Sequence, residues 1–457
     1  MNQKMKIKTS LILILISCQA FALTEQDVAR SVLSNFSLIQ EAELKSEAAQ
    51  GELVSAEGAF DHKLVFKTRN RIEDKYDNQY FETTLERQTA HGGVNLVAGH
   101  RQGLGNFPAY DGKYETSGAG EIFAGLSIPV LRNFKTDEFR TNLKIKQIEK
   151  KQAELEVSLK KMIYMHKALS LYYKWILETQ KLKINKSIFE LAKERHEMIY
   201  KKFVAGDIEK IKVTDNQRAI DKRSGDILKN EIELNKLRAQ LGVFLTDNQG
   251  SPLLIPLESS PEFILQTSEH SVPSSDISSN PQVKILDFES EKLKVESDFF
   301  DQSKLPGLNL ELLGAKELSS NQPYDPNRLQ VGLKFDFPLE NRKAEGKSVA
   351  YNYKVKAIEK KQLFLELELS QQLSFFIKAS ADSKQRWEIT NKEYEGSKKM
   401  ADAEKKRWLQ GASDLFVINL REQDVADVDI RRWTALYDYH QYHLDARLFS
   451  GSILKVR

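Results

Sequence analysis

Between Pro129 and Pro252 the chain contains no proline, and most of that stretch reads as helix. A helix from about Thr136 to Val204 would be about 100 Å long at about 1.5 Å per residue, far longer than an ordinary globular helix. No compact core needs such a rod. Its apolar residues Leu155, Leu159, Met162, Leu169, Tyr173 and Ile176 are separated by threes and fours, the spacing of helices packed side by side, while Lys and Glu fill much of the rest. The pattern predicts a long helix that packs laterally and is wet on more than one side.

The residues just before the rod follow a different period. In Glu121–Pro129, Ile122, Ala124, Leu126 and Ile128 alternate with Phe123, Gly125 and Ser127, which predicts a strand ended by Pro129. The combination recurs. Leu329, Val331, Leu333, Phe335 and Phe337 alternate with Arg328, Gln330, Gly332, Lys334 and Asp336, and Pro338 follows, then a second proline-free helical run. Each run breaks at a glycine, Gly206 in "KKFVAGDIEKIKV" and Gly411 in "KKRWLQGASDLFVI". Upstream, "AEGAFDHKLVFK" and "ESDFFDQSKLPGLNLEL" both pass from helix into strand.

The chain is therefore read as two tandem copies of helix, strands, long helix, glycine turn and shorter helix. The first copy spans 23–244, with strands within 62–128, a long helix over 134–204 and a helix to 242. A Ser- and Pro-rich linker covers 245–282. The second copy spans 283–457, with strands within 306–338, a long helix over 343–410 and a helix to 450. The copies differ between their strands, where "FETTLERQ" and "VNLVAGH" alternate around His91-Gly92-Gly93 and a loop follows over 101–118. This predicts either an extra hairpin near 79–118, placed at the mouth of the sheet, or an irregular surface loop there.

Lys4, Lys6 and Lys8 precede an apolar run from Leu11 to Ile16, too short to span a bilayer, which reads as an export signal. Cleavage after Ala20-Phe21-Ala22 would leave residues 1–22 as the signal; a lipobox reading of Leu15-Ile16-Ser17-Cys18 would leave 1–17 and lipidate Cys18. Cys18 is the only cysteine, so the chain forms no internal disulfide. A net charge of +3 gives no reason to invoke nucleic acid.

These constraints set a problem for the apolar strand faces, because the neighbouring helices are polar and no second apolar layer exists to cover them. A bilayer would solve it, with apolar side chains toward lipid and polar ones toward water, as transmembrane strands arrange them. The residues so placed are Ile122, Leu126, Ile128, Leu329, Val331, Leu333, Phe335 and Phe337, with Pro129 and Pro338 as strand-to-helix junctions. Few strands cannot close a barrel, and open edges are not tolerated in lipid, so closure would come from other copies of the chain.

In the duplicated order of strand, proline, long helix and glycine turn, the sequence resembles the TolC family of outer-membrane efflux and secretion channels over nearly the whole mature chain. The resemblance implies a mainly helical fold with a transmembrane β-barrel part. It also implies a homotrimer, four strands per protomer in a twelve-stranded barrel, and a helical tunnel across the periplasm. It further implies contact at the tip with a periplasmic adaptor serving an inner-membrane pump of RND or ABC type. The adaptor contact would fall at Ala205, Gly206, Asp207, Gly411, Ala412 and Ser413. Family members close the tunnel with acidic residues six and nine positions after the second tip glycine, which here are Val417 and Leu420. Asp414, Asp215, Glu209 and Lys212 are the remaining constriction candidates, although Asp and Glu also suit a solvated helix start.

No chemistry of another kind is displayed. "RHEMIY" lacks the second histidine of a zinc-protease helix, Gly99, Gly103 and Gly105 open no helix and form no phosphate cradle, and His166 stands without companion ligands. No cofactor and no catalysis are expected. The rival reading, a periplasmic adaptor or coiled-coil structural protein, would carry one helical hairpin instead of two.

Overall fold

The computed structural model describes residues 23–72, 75–108, 112–247, 250–252, 277–318 and 327–454. The export signal, Cys18 and residues 253–276 of the predicted linker lie outside them. Among the described residues, seven α-helices and six strands are ordered as α1 (Glu25–Asn35), α2 (Ser37–Glu57), β1 (Lys63–Arg71), β2 (Asn78–Gln88), β3 (Asn95–Gly105), β4 (Glu121–Pro129), α3 (Glu138–Val204), α4 (Lys210–Gly242), α5 (Pro281–Ser303), β5 (Gly307–Glu317), β6 (Asn327–Asp336), α6 (Arg342–Leu409) and α7 (Leu415–Phe449).

The helices α3 and α6 have 67 and 68 residues, each about 100 Å long. Each folds back on a shorter helix, α3 on α4 and α6 on α7, while α1, α2 and α5 lie along α3 and α5 also packs on α6. Met162, Leu169, Tyr173 and Ile176 of the predicted stripe are buried, in a core with Val28 and Val32 of α1, Leu234, Leu237 and Leu241 of α4, and Leu444 of α7. Nearby, Tyr173 donates to Glu25 at 3.0 Å and Tyr172 to the Leu23 carbonyl at 2.9 Å. His166 is half-buried between α3 and α7, with its Nε2 2.5 Å from the Asp445 carboxylate. Among the described residues, no helix is long and apolar enough to cross a membrane.

The six strands form one sheet in sequence order, every neighbour antiparallel. This corrects two expectations. There are six strands where the resemblance implied four, and the extra hairpin is not a mouth structure: β2 and β3 have 11 residues each and run the full height of the sheet. The predicted loop over 101–118 begins later, because β3 continues to Gly105, so Gly99, Gly103 and Gly105 are strand residues.

The sheet is welded to the rods at two junctions. Past Pro129, the amides of Val130 and Arg132 still bond to Leu308 and Pro306 carbonyls, at 2.7 and 3.2 Å, so β4 stays tied to the entry of β5. The Arg140 side chain then donates to the carbonyls of Phe134 and Lys135 at 3.1 and 3.2 Å and to the Asp137 carboxylate at 2.8 Å, while Asp137 caps α3. A turn so filled with charge-assisted bonds holds the rod at a fixed angle to the strand. Arg132 also pairs with Asp336 at the end of β6, joining the two copies at one level.

Candidate functional site

Two places concentrate chemistry, the sheet and the tip of the helical hairpins. In an antiparallel sheet directly opposed residues share a face, and the register assigns every strand residue to one of two. The first face carries Leu64 and Phe66, then Phe81 and Leu85, Leu96 and Leu104, Ile122, Leu126 and Ile128, Leu308, Leu310 and Leu312, and finally Leu329, Val331, Leu333 and Phe335; its polar residues, Arg87, His100, Gln102 and Lys316 among them, are concentrated on β1, β2, β3 and the end of β5. The seven strand residues singled out from the sequence as apolar-facing, Ile122, Leu126, Ile128, Leu329, Val331, Leu333 and Phe335, all lie here; Phe337 falls just past the end of β6 and is also exposed. The face is bare: Leu329 is 77% exposed and Leu333 74%.

The opposite face carries most of the charge, around a few apolar residues such as Val97, Phe123 and Leu313. One register row runs Lys67, Glu82, Arg101, Glu121, Glu317 across five strands. Arg101 and Arg328 both pair with Glu121, which is fully buried, and Arg328 also reaches Glu317 at 3.5 Å. Two guanidinium groups around one carboxylate repay its desolvation, as a single exposed pair would not.

The segment after β3 folds over this polar face. A Cβ on Gly103 would lie 2.4 Å from the Tyr114 carbonyl, and the Thr116 backbone N–H closes the contact by donating to the Gly103 carbonyl at 2.9 Å. The Tyr114 hydroxyl accepts from Arg101 at 2.6 Å and donates to Glu121 at 2.8 Å, with Arg328 4.3 Å from its ring centre. No single motif marks this latch in the sequence; the only signal was charge on the polar side of the strand ends. In Tyr114→Ala the segment loses bonds to charged partners worth about 1.5–3 kcal/mol each. Limited proteolysis should then cut between 112 and 120 in the folded protein, where the parent chain resists.

At the far end, α3 and α6 stop in the same way. The amides of Gly206 and Asp207 bond to Phe203 and Lys202 carbonyls at 3.0 and 2.9 Å, and those of Gly411 and Ala412 to Trp408 and Arg407 at 3.0 and 2.9 Å. This pair of bonds needs a left-handed residue, and Gly206 and Gly411 have φ of 83° and 75°. Nothing lies within 4 Å of a Cβ at either site. The cost of a side chain is therefore purely conformational: Gly411→Val should lose about 1–2 kcal/mol, and Gly411→Asn most of that less, in thermal melts of the purified protein.

Ala205, Gly206, Asp207, Gly411 and Ala412 are exposed at this tip, and Ser413 is half-buried, its hydroxyl bonded to Glu404. Of the constriction candidates, the structure brings together Lys212 and Asp414, 2.9 Å apart between α4 and α7. Asp215 only neighbours Arg218 on its own helix at 3.8 Å, and Glu209 is exposed without a capping bond. The Phe416 amide, first, and then Lys212 hold the Asp414 carboxyl below its ordinary value of 3.8. A depressed carboxyl stabilises above the unfolded value and loses that contribution as pH falls through the folded one. Tip opening, read by hydrogen exchange at Ala412–Leu415, should therefore increase only below about pH 4.

Beneath the tip lies a group that the sequence reading missed. Arg195, on the α3 face carrying Ile188, Ala192 and Ile199, is 4% exposed and bonds to Glu422 and Asn419 of α7, while Arg223 of α4 donates to the Ile188 carbonyl at 2.7 Å. The available signal was a lone arginine in an apolar stripe. Val417, half-buried, and Leu420, exposed, occupy the positions of the acidic ring implied by the resemblance, and Phe416 beside them is also exposed.

No protein-family profile matches the chain, and no curated protein sequence does. Solved structures do. The outer-membrane channel CmeC of Campylobacter jejuni superposes with a TM-score of 0.67 at 12% identity, over 94% of this chain and 86% of that one. The outer-membrane protein VceC of Vibrio cholerae gives 0.65 at 10% identity, over 94% and 96%. The open-state outer-membrane channel MtrE of Neisseria gonorrhoeae gives 0.64 at 10% identity, over 94% and 89%. At such identities the likeness establishes the fold, and the fold is that of these channels.

Proposed function

We propose that this chain is a TolC-family outer-membrane duct: a homotrimer whose sheets close into a barrel and whose helices form a tunnel in the periplasm, passing cargo by passive movement. The observation that carries the reading is the two-faced sheet. Among the described residues no helix packs on its apolar face, its other face holds a charged network, and each strand has 9 to 11 residues. That is the length a tilted strand needs to cross a bilayer. Water on one side and acyl chains on the other satisfy both faces at once, whereas a soluble monomer would leave the apolar one wet. The lipid-facing residues are then Ile122, Leu126, Ile128, Leu329, Val331 and Leu333, with Phe335 nearer the periplasmic border.

The rods supply the reach toward the inner membrane. Their tips, at Gly206 and Gly411, are the surface where an adaptor would dock, and the Lys212–Asp414 and Arg195–Glu422 pairs are the joints that would hold the tunnel end shut. No nucleotide motif accompanies them, so energy would come from an inner-membrane pump, and the chain itself performs no reaction. Membrane fractionation tests the reading: trimers that resist SDS until heated should appear in the outer-membrane fraction. Recovery of the chain as a soluble periplasmic monomer would remove it.

A further inference from the structure

We infer that the barrel of this protein has eighteen strands, three copies of six, and that the joint between copies pairs β6 of one with β1 of the next. The inference rests on the trimeric duct proposed above and concerns how its wall is built.

Three features place the β2–β3 hairpin in the wall. It is inserted between β1 and β4 with continuous ladders on both sides, so it cannot be lifted out without breaking two pairings. Phe81, Leu85, Leu96 and Leu104 fall on the same face as Leu126 and Leu333, interleaved with Gln79, Thr83, Arg87, His100 and Gln102, while Glu82 and Arg101 fall in the charged row of the other face. A hairpin standing off the barrel in water would expose the first set for no gain. Its turn also abuts the strand-to-helix junction: a Cβ on Gly93 would lie 2.7 Å from the Asn133 carbonyl and 3.1 Å from Pro129. The hairpin therefore descends to the level where the other strands enter the rods.

The edges decide the partner. β1 and β6 pair on one side only, and unmatched amides and carbonyls in hydrocarbon cost several kcal/mol each. Six strands are too few to close on themselves, since even eight leave an interior only just wide enough for side chains. Closure needs other copies. Because six is even and every pair is antiparallel, β6 runs opposite to β1, so the joint is an ordinary antiparallel ladder. Leu64 and Phe66 on β1 then continue the apolar belt of Leu329 to Phe335, and Lys63, Val65 and Lys67 continue the polar face. Barrel diameter grows roughly in proportion to strand number, so the duct would be about 1.5 times as wide as a twelve-stranded one at the outer membrane. The segment around Tyr114, folded over the polar face, would occupy part of that added width.

Cysteine substitutions in the full-length protein test this, with Cys18 the only native cysteine. Val65→Cys should be combined in turn with Arg328→Cys, Gln330→Cys, Gly332→Cys and Lys334→Cys. One face-matched combination, or two adjacent ones, should give disulfide-linked trimers under mild oxidation, and Val65→Cys with Val331→Cys should give none. In separate variants, Leu85→Cys and Leu96→Cys should resist a water-soluble maleimide in intact outer membranes while Glu82→Cys reacts. Heat-resistant trimers without any β6–β1 link, in which Leu85→Cys and Leu96→Cys label like Glu82→Cys, would overturn the eighteen-stranded wall and leave the duct standing. Absence of trimers from the outer membrane in the unsubstituted protein would overturn both. A map of the trimer in lipid nanodiscs showing twelve wall strands would decide against the inference directly.

Discussion

Leu333→Arg should abolish most assembly into the outer membrane. Leu333 lies in the middle of β6, opposite Leu310, on the bare apolar face. An arginine facing lipid near the bilayer midplane costs roughly 2–4 kcal/mol, and a trimer carries the cost three times. The neighbouring Lys334 points to the other face, where water would solvate it, so Lys334→Gln should leave trimer yield unchanged and shift only ion selectivity in planar bilayers. The readout is the ratio of heat-resistant trimer to total protein for the two variants. Equal, mild losses at both positions would contradict the assignment of the faces, because only a sheet wetted on both sides treats them alike.

Arg195→Ala should loosen the tip more than any single change at the exposed turn. Removing one partner of a buried ion pair costs about 3–5 kcal/mol, since the other charge is left desolvated and unmatched. Here that charge is the Glu422 carboxylate, with Asn419 losing its donor as well. An opening equilibrium should rise by about a hundredfold or more, visible as faster amide exchange in the last turns of α3 and the first turns of α7, and as tryptic cleavage at Lys201 and Lys202. Arg195→Met combined with Glu422→Leu replaces the pair with apolar volume and should restore most of the protection. If the single variant exchanges at the parent rate, the pair does not hold α3 to α7.

The two proposed residue sets were unequally legible. Gly206 and Gly411 stand out because a helix stop of this kind has a local cause, a left-handed residue, and local causes are written in adjacent positions. The alternation in β4 and β6 is equally local. Lys212 and Asp414 were both named as constriction candidates, but their partnership could not be read, and neither could that of Arg195 with Glu422, 227 positions away. No periodicity encodes which turn of one rod lies beside which turn of another. The hairpin shows the same limit from the strand side. Its residues alternate plainly, yet alternation fixes only which side chains share a face, not whether the strands join a wall or crown it.

The sequence by itself determined the kinds of element and their punctuation: long helices from proline-free runs, strands from a period of two, junctions at Pro129 and Pro338, and turns at the two glycines. These follow from interactions within a few residues of backbone, where φ, hydrogen bonding and side-chain period leave little choice. Only the tertiary structure decided that six strands make one sheet, that Glu121 is buried between Arg101 and Arg328, and that Tyr114 folds across the polar face. Those outcomes depend on loop closure and on pairing register between distant segments, where many arrangements satisfy the local rules and only the packing of the whole chain selects one.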